Sequence, residues 1–131
     1  MAGEKILIVD DNAANLKLIS FLLGSKGYAV RTASYATEAL RALESFHPQL
    51  ILMDLQLPGM DGLSLTRKLR ADPATQDIAI FAVTAYAMKG DQEKALEAGC
   101  DAYITKPIDT RGLPQQIATH FSKPRTPGGA P

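Results

Sequence analysis

Five short apolar runs alternate along this chain with five stretches of helical periodicity, and that alternation constrains the fold more than any other feature. Segments near 5–10, 28–32, 49–53, 78–83 and 102–105 read as strands, and segments near 13–25, 36–46, 62–71, 88–98 and 111–121 as helices. Successive strand–helix units predict an α/β domain with a five-stranded parallel sheet, helices on both faces and right-handed crossovers. The first, third and fourth runs are almost wholly apolar, which predicts central strands covered on both sides. The second, Tyr28-Ala29-Val30-Arg31-Thr32, is the most polar and predicts an edge.

At 131 residues the chain is long enough for one domain with a real core. Residues 1–121 are assigned to it, and residues 122–131, with three prolines, two glycines and no large apolar group, to a flexible tail. Formal net charge is zero, and no basic stripe with interleaved aromatics appears, which argues against direct nucleic-acid binding. No apolar run approaches the roughly 18 residues of a membrane span. The lone Cys100 cannot form an internal disulfide, and no signal-like segment opens the chain, so the cytoplasm is the expected location.

Turn residues agree with this reading. Asn12 and Asp61 are candidate helix caps. Gly27 and Gly99 follow helical segments, where a left-handed residue is wanted. Pro114 is tolerated if Thr110 caps the last helix, because the first helical amides have no intrahelical partner.

Chemistry-bearing residues collect at the ends of the runs. Asp54 closes the third, Asp10 and Asp11 follow the first, and Lys106 follows the last. In open α/β sheets, ligands gather at the carboxyl ends of strands. Three acids and one base there point to a divalent cation beside a phosphoryl group. Taken singly, adjacent acids at a strand–helix junction are often only a cap and a helix-dipole partner; the constellation carries the functional reading.

Four segments together resemble the response-regulator receiver domains of two-component signalling. They are Ile6-Leu7-Ile8-Val9-Asp10-Asp11-Asn12, Leu50-Ile51-Leu52-Met53-Asp54 with Pro58-Gly59-Met60-Asp61-Gly62, Val83-Thr84-Ala85, and Tyr103-Ile104-Thr105-Lys106-Pro107. The resemblance covers about residues 5–121. It implies a flavodoxin-like doubly wound sheet with strand order 2-1-3-4-5 and five helices. It further implies that Asp54 accepts a phosphoryl group from a histidine of a histidine kinase or phosphotransfer protein, forming an acyl phosphate. Mg²⁺, with Mn²⁺ as a substitute, would be held by the carboxylates of Asp11 and Asp54, the backbone carbonyl of Gln56 and, through water, Asp10. Lys106 and Thr84 would contact phosphoryl oxygens, and the Lys106–Pro107 peptide would be cis.

By the same resemblance, Thr84 and Tyr103 form the switch: Thr84 follows the phosphoryl group and Tyr103 turns inward, altering the face of the fourth helix, fifth strand and fifth helix. The bland alternative leaves Tyr103 fixed with its hydroxyl in water. Gln56 and Tyr86 would border the phosphoryl site with opposing effects on its lifetime. Cys100, His47 and His120 are read as structural.

The first helix carries two separated apolar sets, Leu18-Phe21-Leu22 and Leu16-Ile19-Leu23. The expectation is that the first packs on the sheet, while Leu16, Ile19 and Leu23 join Asn15 and Pro107 as a docking surface for the phosphodonor; burial of that second set by neighbouring helices is the alternative. The protein is expected to work through a downstream partner without a fused effector, as a monomer or a weak phosphorylation-dependent dimer. A magnesium-dependent phosphohydrolase is a competing reading. Haloacid-dehalogenase-like phosphatases place an acid two residues after the nucleophile, and here that position is Gln56. A pseudo-receiver that only binds is a third, disfavoured by the complete acidic and Lys/Thr set.

Overall fold

In the computed structural model, residues 3–57, 59–85 and 90–122 are described. The elements run β1 (Lys5–Val9), α1 (Ala13–Gly24), β2 (Ala29–Ala33), α2 (Ala36–Ala42), β3 (Leu50–Asp54), α3 (Gly62–Ala71), β4 (Ala79–Thr84), α4 (Asp91–Ala98), β5 (Ala102–Thr105) and α5 (Gly112–Ser122). All pairings are parallel, in the order β2-β1-β3-β4-β5. The expected fold and strand order are observed, with polar β2 at an edge.

Strand side chains alternate between the two faces with period two, and each face has its own core. Ile6, Ile8, Leu50, Leu52 and Phe81 pack with Ile19 and Leu23 of α1 and Leu113 and Ile117 of α5. Leu7, Val9, Ile51, Met53, Ile80 and Ala82 pack with Ala36 and Ala39 of α2, Leu65 and Leu69 of α3 and Ala95 of α4. β3 and β4 are buried along their whole length, as strands covered on both faces must be.

The α1 expectation is reversed. Ile19 and Leu23 are 2% and 0% exposed and sit in the sheet core, with Leu16 packed against them; Leu18 and Phe21 are 48% and 78% exposed. Both apolar sets have helical spacing. What chose between them is the rotation of α1 about its own axis, set by the even-numbered side chains of β1 and β3 beneath it.

The caps largely follow the sequence. Asn12 Oδ1 accepts from Asn15 N at 3.1 Å and Asp61 Oδ1 from Ser64 N at 2.8 Å. Gly27 and Gly99 have φ of 95° and 114°. At α5 the capping side chain is Asp109 rather than Thr110: its Oδ1 accepts from Arg111 N at 3.0 Å, and bonds from the Gly112 and Arg111 amides hold its carboxyl below the usual range. Pro114 is the third helical residue, where its missing N–H costs nothing. Helix α2 is shorter than expected: beyond Ala42 the chain continues as turns, with Glu44 N and Ser45 N bonded to carbonyls three residues back and Phe46 N to the Ala42 carbonyl. The expected start of α4 at residue 88 lies outside the described residues, as do residues 123–131 of the expected tail; Ser122 belongs to α5. Among the described residues, no helix is long and apolar enough to cross a membrane.

Candidate active site

Parallel strands put all their carboxyl ends on one edge of the sheet, so residues far apart in sequence meet there. Asp10 follows β1, Asp54 ends β3, Thr84 ends β4 and Lys106 follows β5. Carboxylate oxygens of Asp10, Asp11 and Asp54 lie within 4.8 Å of one another. Asp10 and Asp54 are 2% and 1% exposed, whereas Asp11 faces solvent.

Each buried carboxylate is held by a backbone amide of its own loop. Asn12 N donates to Asp10 Oδ1 at 2.8 Å, and Gln56 N donates to Asp54 Oδ1 at 2.9 Å. The second oxygens converge on one cation: Lys106 Nζ lies 3.3 Å from Asp10 Oδ2 and 3.1 Å from Asp54 Oδ2. Asn15 Nδ2 also donates to Asp10 Oδ2, at 3.3 Å. Burial raises the Asp54 carboxyl above the usual range, and the nearby Asp10 charge raises it further; the Gln56 amide and the Lys106 ammonium pull the other way without cancelling the rise. For Lys106, burial works against the charge, but Asp54 and Asp10 outweigh it and hold the ammonium above the usual lysine value.

Two mutually repelling carboxylates in a buried pocket, with a third at its solvent edge, are a hard-oxygen donor set that suits a small divalent cation. Gly62 keeps α3 close behind it: a Cβ there would lie 2.5 Å from the Asp54 carbonyl oxygen and 2.8 Å from Leu55 Cα. The Lys106–Pro107 peptide is cis, as the resemblance implies.

The response regulator receiver domain model matches residues 6–118. The chain belongs to the response-regulator receiver family. It is 47% identical over 119 residues to the polar-differentiation response regulator DivK of Brucella ovis, covering 90% of this chain and 96% of that protein. Among solved structures, it resembles a CheY-like receiver domain protein from Methanospirillum hungatei JF-1 (TM-score 0.83, 35% identity, 91% and 94% of the two chains). It also resembles the receiver domain of a sensor histidine kinase from Pseudomonas aeruginosa PAO1, solved with magnesium coordinated in its active-site cleft (TM-score 0.80, 39% identity, 91% and 97%). The receiver is therefore a two-component signalling domain.

Beyond Asp10, Asp11, Asp54 and Lys106, the site contains contacts that sequence reasoning missed. Gln56 Nε2 donates to Thr84 Oγ1 at 2.7 Å, and Ala85 N donates to Gln56 Oε1 at 3.1 Å. Asn15, expected only at a docking surface, touches Asp10. No sequence signal marks the Ala85 amide, because every residue but proline carries one. Tyr103 is half-buried; it is the register partner of Ala82, so it and Thr84 lie on the same sheet face of adjacent strands. Burial first, and then Asp91, raises its hydroxyl pKa. Tyr86 lies outside the described residues. Of the expected docking set, Ile19 and Leu23 are inaccessible, whereas Pro107 is exposed. Asn15, Leu18, Ala85, Lys106, Pro107 and Ile108 line a cavity of about 440 Å³ beside the carboxylates, with the 2% of Ile19 that is exposed at its wall. Cys100 is buried, its Sγ 3.9 Å from Thr66 Oγ1, and His120 packs edge-on to Phe81, both structural positions.

Proposed function

We propose that this receiver is a phosphoacceptor in a two-component phosphorelay, with Asp54 as the residue phosphorylated. The observation that carries this reading is the Lys106 ammonium held against Asp54 at the strand ends, with two further carboxylates beside it. A carboxylate oxygen of Asp54 attacks the phosphorus of a phosphohistidine; the O–P bond forms as the P–N bond breaks, and the imidazole leaves. Positioning and charge neutralisation supply most of the catalysis in such transfers.

The donor set favours Mg²⁺, with Mn²⁺ able to use the same oxygens. Asp11 and Asp54 would hold it by their carboxylates, Gln56 by its backbone carbonyl and Asp10 through water. When bound, it neutralises charge between the carboxylates and the phosphoryl oxygens. Lys106 then serves as a point charge for one phosphoryl oxygen, and the Thr84 hydroxyl serves another.

The phosphodonor is a histidine kinase or histidine phosphotransfer protein. Its docking surface is the exposed side of α1, Leu18 and Phe21, continued by Asn15 and Pro107 at the mouth of the site. Output passes through Thr84 and Tyr103 to the α4–β5–α5 face, where Leu96 is 47% exposed, and to a downstream protein in the cytoplasm. Sustained phosphomonoester hydrolysis is disfavoured because the residue two beyond Asp54 is Gln56, whose neutral carboxamide cannot serve as a general acid or base.

Intact mass after incubation with acetyl phosphate and Mg²⁺ tests the reading. One phosphoryl adduct is expected, lost in Asp54→Asn and in the presence of a chelator. An adduct that persists in Asp54→Asn overturns the assignment.

A further inference from the structure

The Gln56 side chain ties the end of β3 to the end of β4. Its backbone N–H belongs to Asp54, donating to Oδ1 at 2.9 Å. Its carboxamide belongs to β4: Oε1 accepts from Ala85 N at 3.1 Å and Nε2 donates to Thr84 Oγ1 at 2.7 Å. The amide's orientation is unambiguous, since a backbone N–H can face only the oxygen end and the NH₂ must then face the threonine.

Asp54 pairs in register with Val83, so Thr84 and Ala85 are the next two residues beyond its neighbour. The Ala85 amide bonds a side-chain oxygen rather than a ladder carbonyl, so its N–H points into the strand-end cleft, where Ala85 and Lys106 line the same cavity. An N–H so aimed suits an anionic oxygen. A phosphoryl oxygen is charged, and charge-assisted hydrogen bonds are about twice as strong as neutral ones. With Asp54 bare, a neutral carboxamide holds that position instead.

We propose that Gln56 is a latch, resting on the reading of Asp54 as phosphoacceptor. In the unphosphorylated protein its carboxamide occupies the Ala85 amide and restrains the Thr84 hydroxyl. A phosphoryl group on Asp54 displaces it and takes over the Ala85 N–H. Gln56 thereby sets how much of the interaction with the phosphoryl group goes into releasing β4. A simple brace between the two loops would have the opposite consequence, because removing a brace loosens the donors and weakens phosphoryl binding.

The sign of the effect is the test. Wild type, Gln56→Met and Gln56→Ala are titrated with beryllofluoride, a non-covalent phosphoryl mimic, in saturating Mg²⁺. Loss of the latch should tighten binding by about 3- to 10-fold in both variants, the range expected for one hydrogen bond that no longer has to be broken. In ¹⁵N spectra, the Ala85 amide should move on beryllofluoride addition in the wild type and should start from a shifted position in both variants. Unchanged or weaker binding in the variants, with normal binding by wild type, overturns the latch alone. No binding by wild type overturns the phosphoacceptor reading and the latch with it.

Discussion

Lys106 Nζ lies 3.1 Å from Asp54 Oδ2, joining two residues 52 positions apart in the chain. The same ammonium lies 3.3 Å from Asp10 Oδ2, so one cation stands between two buried carboxylates that would otherwise repel each other. Much of the site's behaviour follows from this arrangement.

Lys106→Met should destabilise the metal-free protein by about 2 kcal/mol, since hydrogen bonds to charged groups are worth more than neutral ones and both carboxylates lose their counter-charge. Mg²⁺ should restore more stability to this variant than to wild type. Thermal melts with and without Mg²⁺ measure both; equal metal-induced shifts in the two proteins would contradict the account.

Asp54→Asn should stabilise the metal-free protein at neutral pH. The folded-state pKa of Asp54 is raised, chiefly by burial, so the native state binds its proton more tightly than the unfolded chain does. Stability therefore falls as pH rises from the ordinary carboxylate range through that raised value, and the cost is fully present above it. The melting temperature of the variant should exceed wild type at pH 7, and the gap should close as pH falls below about 4, near the unperturbed carboxylate pKa. A gap that widens on acidification would refute the assignment.

Mg²⁺ affinity should fall with pH for the same reason. The cation needs ionised oxygen donors, and Asp54 takes up its proton at a higher pH than an ordinary aspartate. Titrations across mildly acidic pH should show wild-type affinity dropping before an unperturbed aspartate would begin to protonate.

Gly62→Ala should cost about 1–3 kcal/mol, an overpacking penalty, because the two nearest atoms a Cβ would meet are backbone and cannot swing away. Since those atoms belong to Asp54 and Leu55, phosphorylation by acetyl phosphate should slow as well. Denaturant unfolding and phosphorylation rate check the two effects.

Ile19→Asp and Phe21→Asp separate the two sides of α1. The first buries a charge in the sheet core and should cost about 3 kcal/mol or more. The second lies at an exposed position and should change stability by no more than about 0.5 kcal/mol. It should slow transfer from a protein phosphodonor while leaving acetyl phosphate unaffected; equal slowing with both donors would remove Phe21 from the docking surface.

The residues that form the strands and end them were legible in the chain itself. A fully apolar run such as Leu50-Ile51-Leu52-Met53 suits a strand covered on both faces; the aspartate at its end is often structural by itself, and its company with Asp10, Asp11, Thr84 and Lys106 at other strand ends is what marked it for chemistry. Asn12, Asp61 and Gly99 act on backbone groups within a few residues, so their roles are set locally. The resemblance of the strand-end motifs then supplied the strand order.

Tertiary structure decided what local pattern leaves free. The period of α1 shows two apolar sets but not which faces the sheet; only packing against β1 and β3 put Ile19 and Leu23 inside and left Phe21 out. The cap of α5 passed from Thr110 to Asp109 because the path of the chain after Pro107 selects which side chain reaches the first amides. The bridge from Lys106 to Asp10 and Asp54, and the grip of Gln56 on Thr84 and Ala85, join separate strands. Such contacts depend on how the strand ends align in space, and no spacing along the chain encodes that alignment.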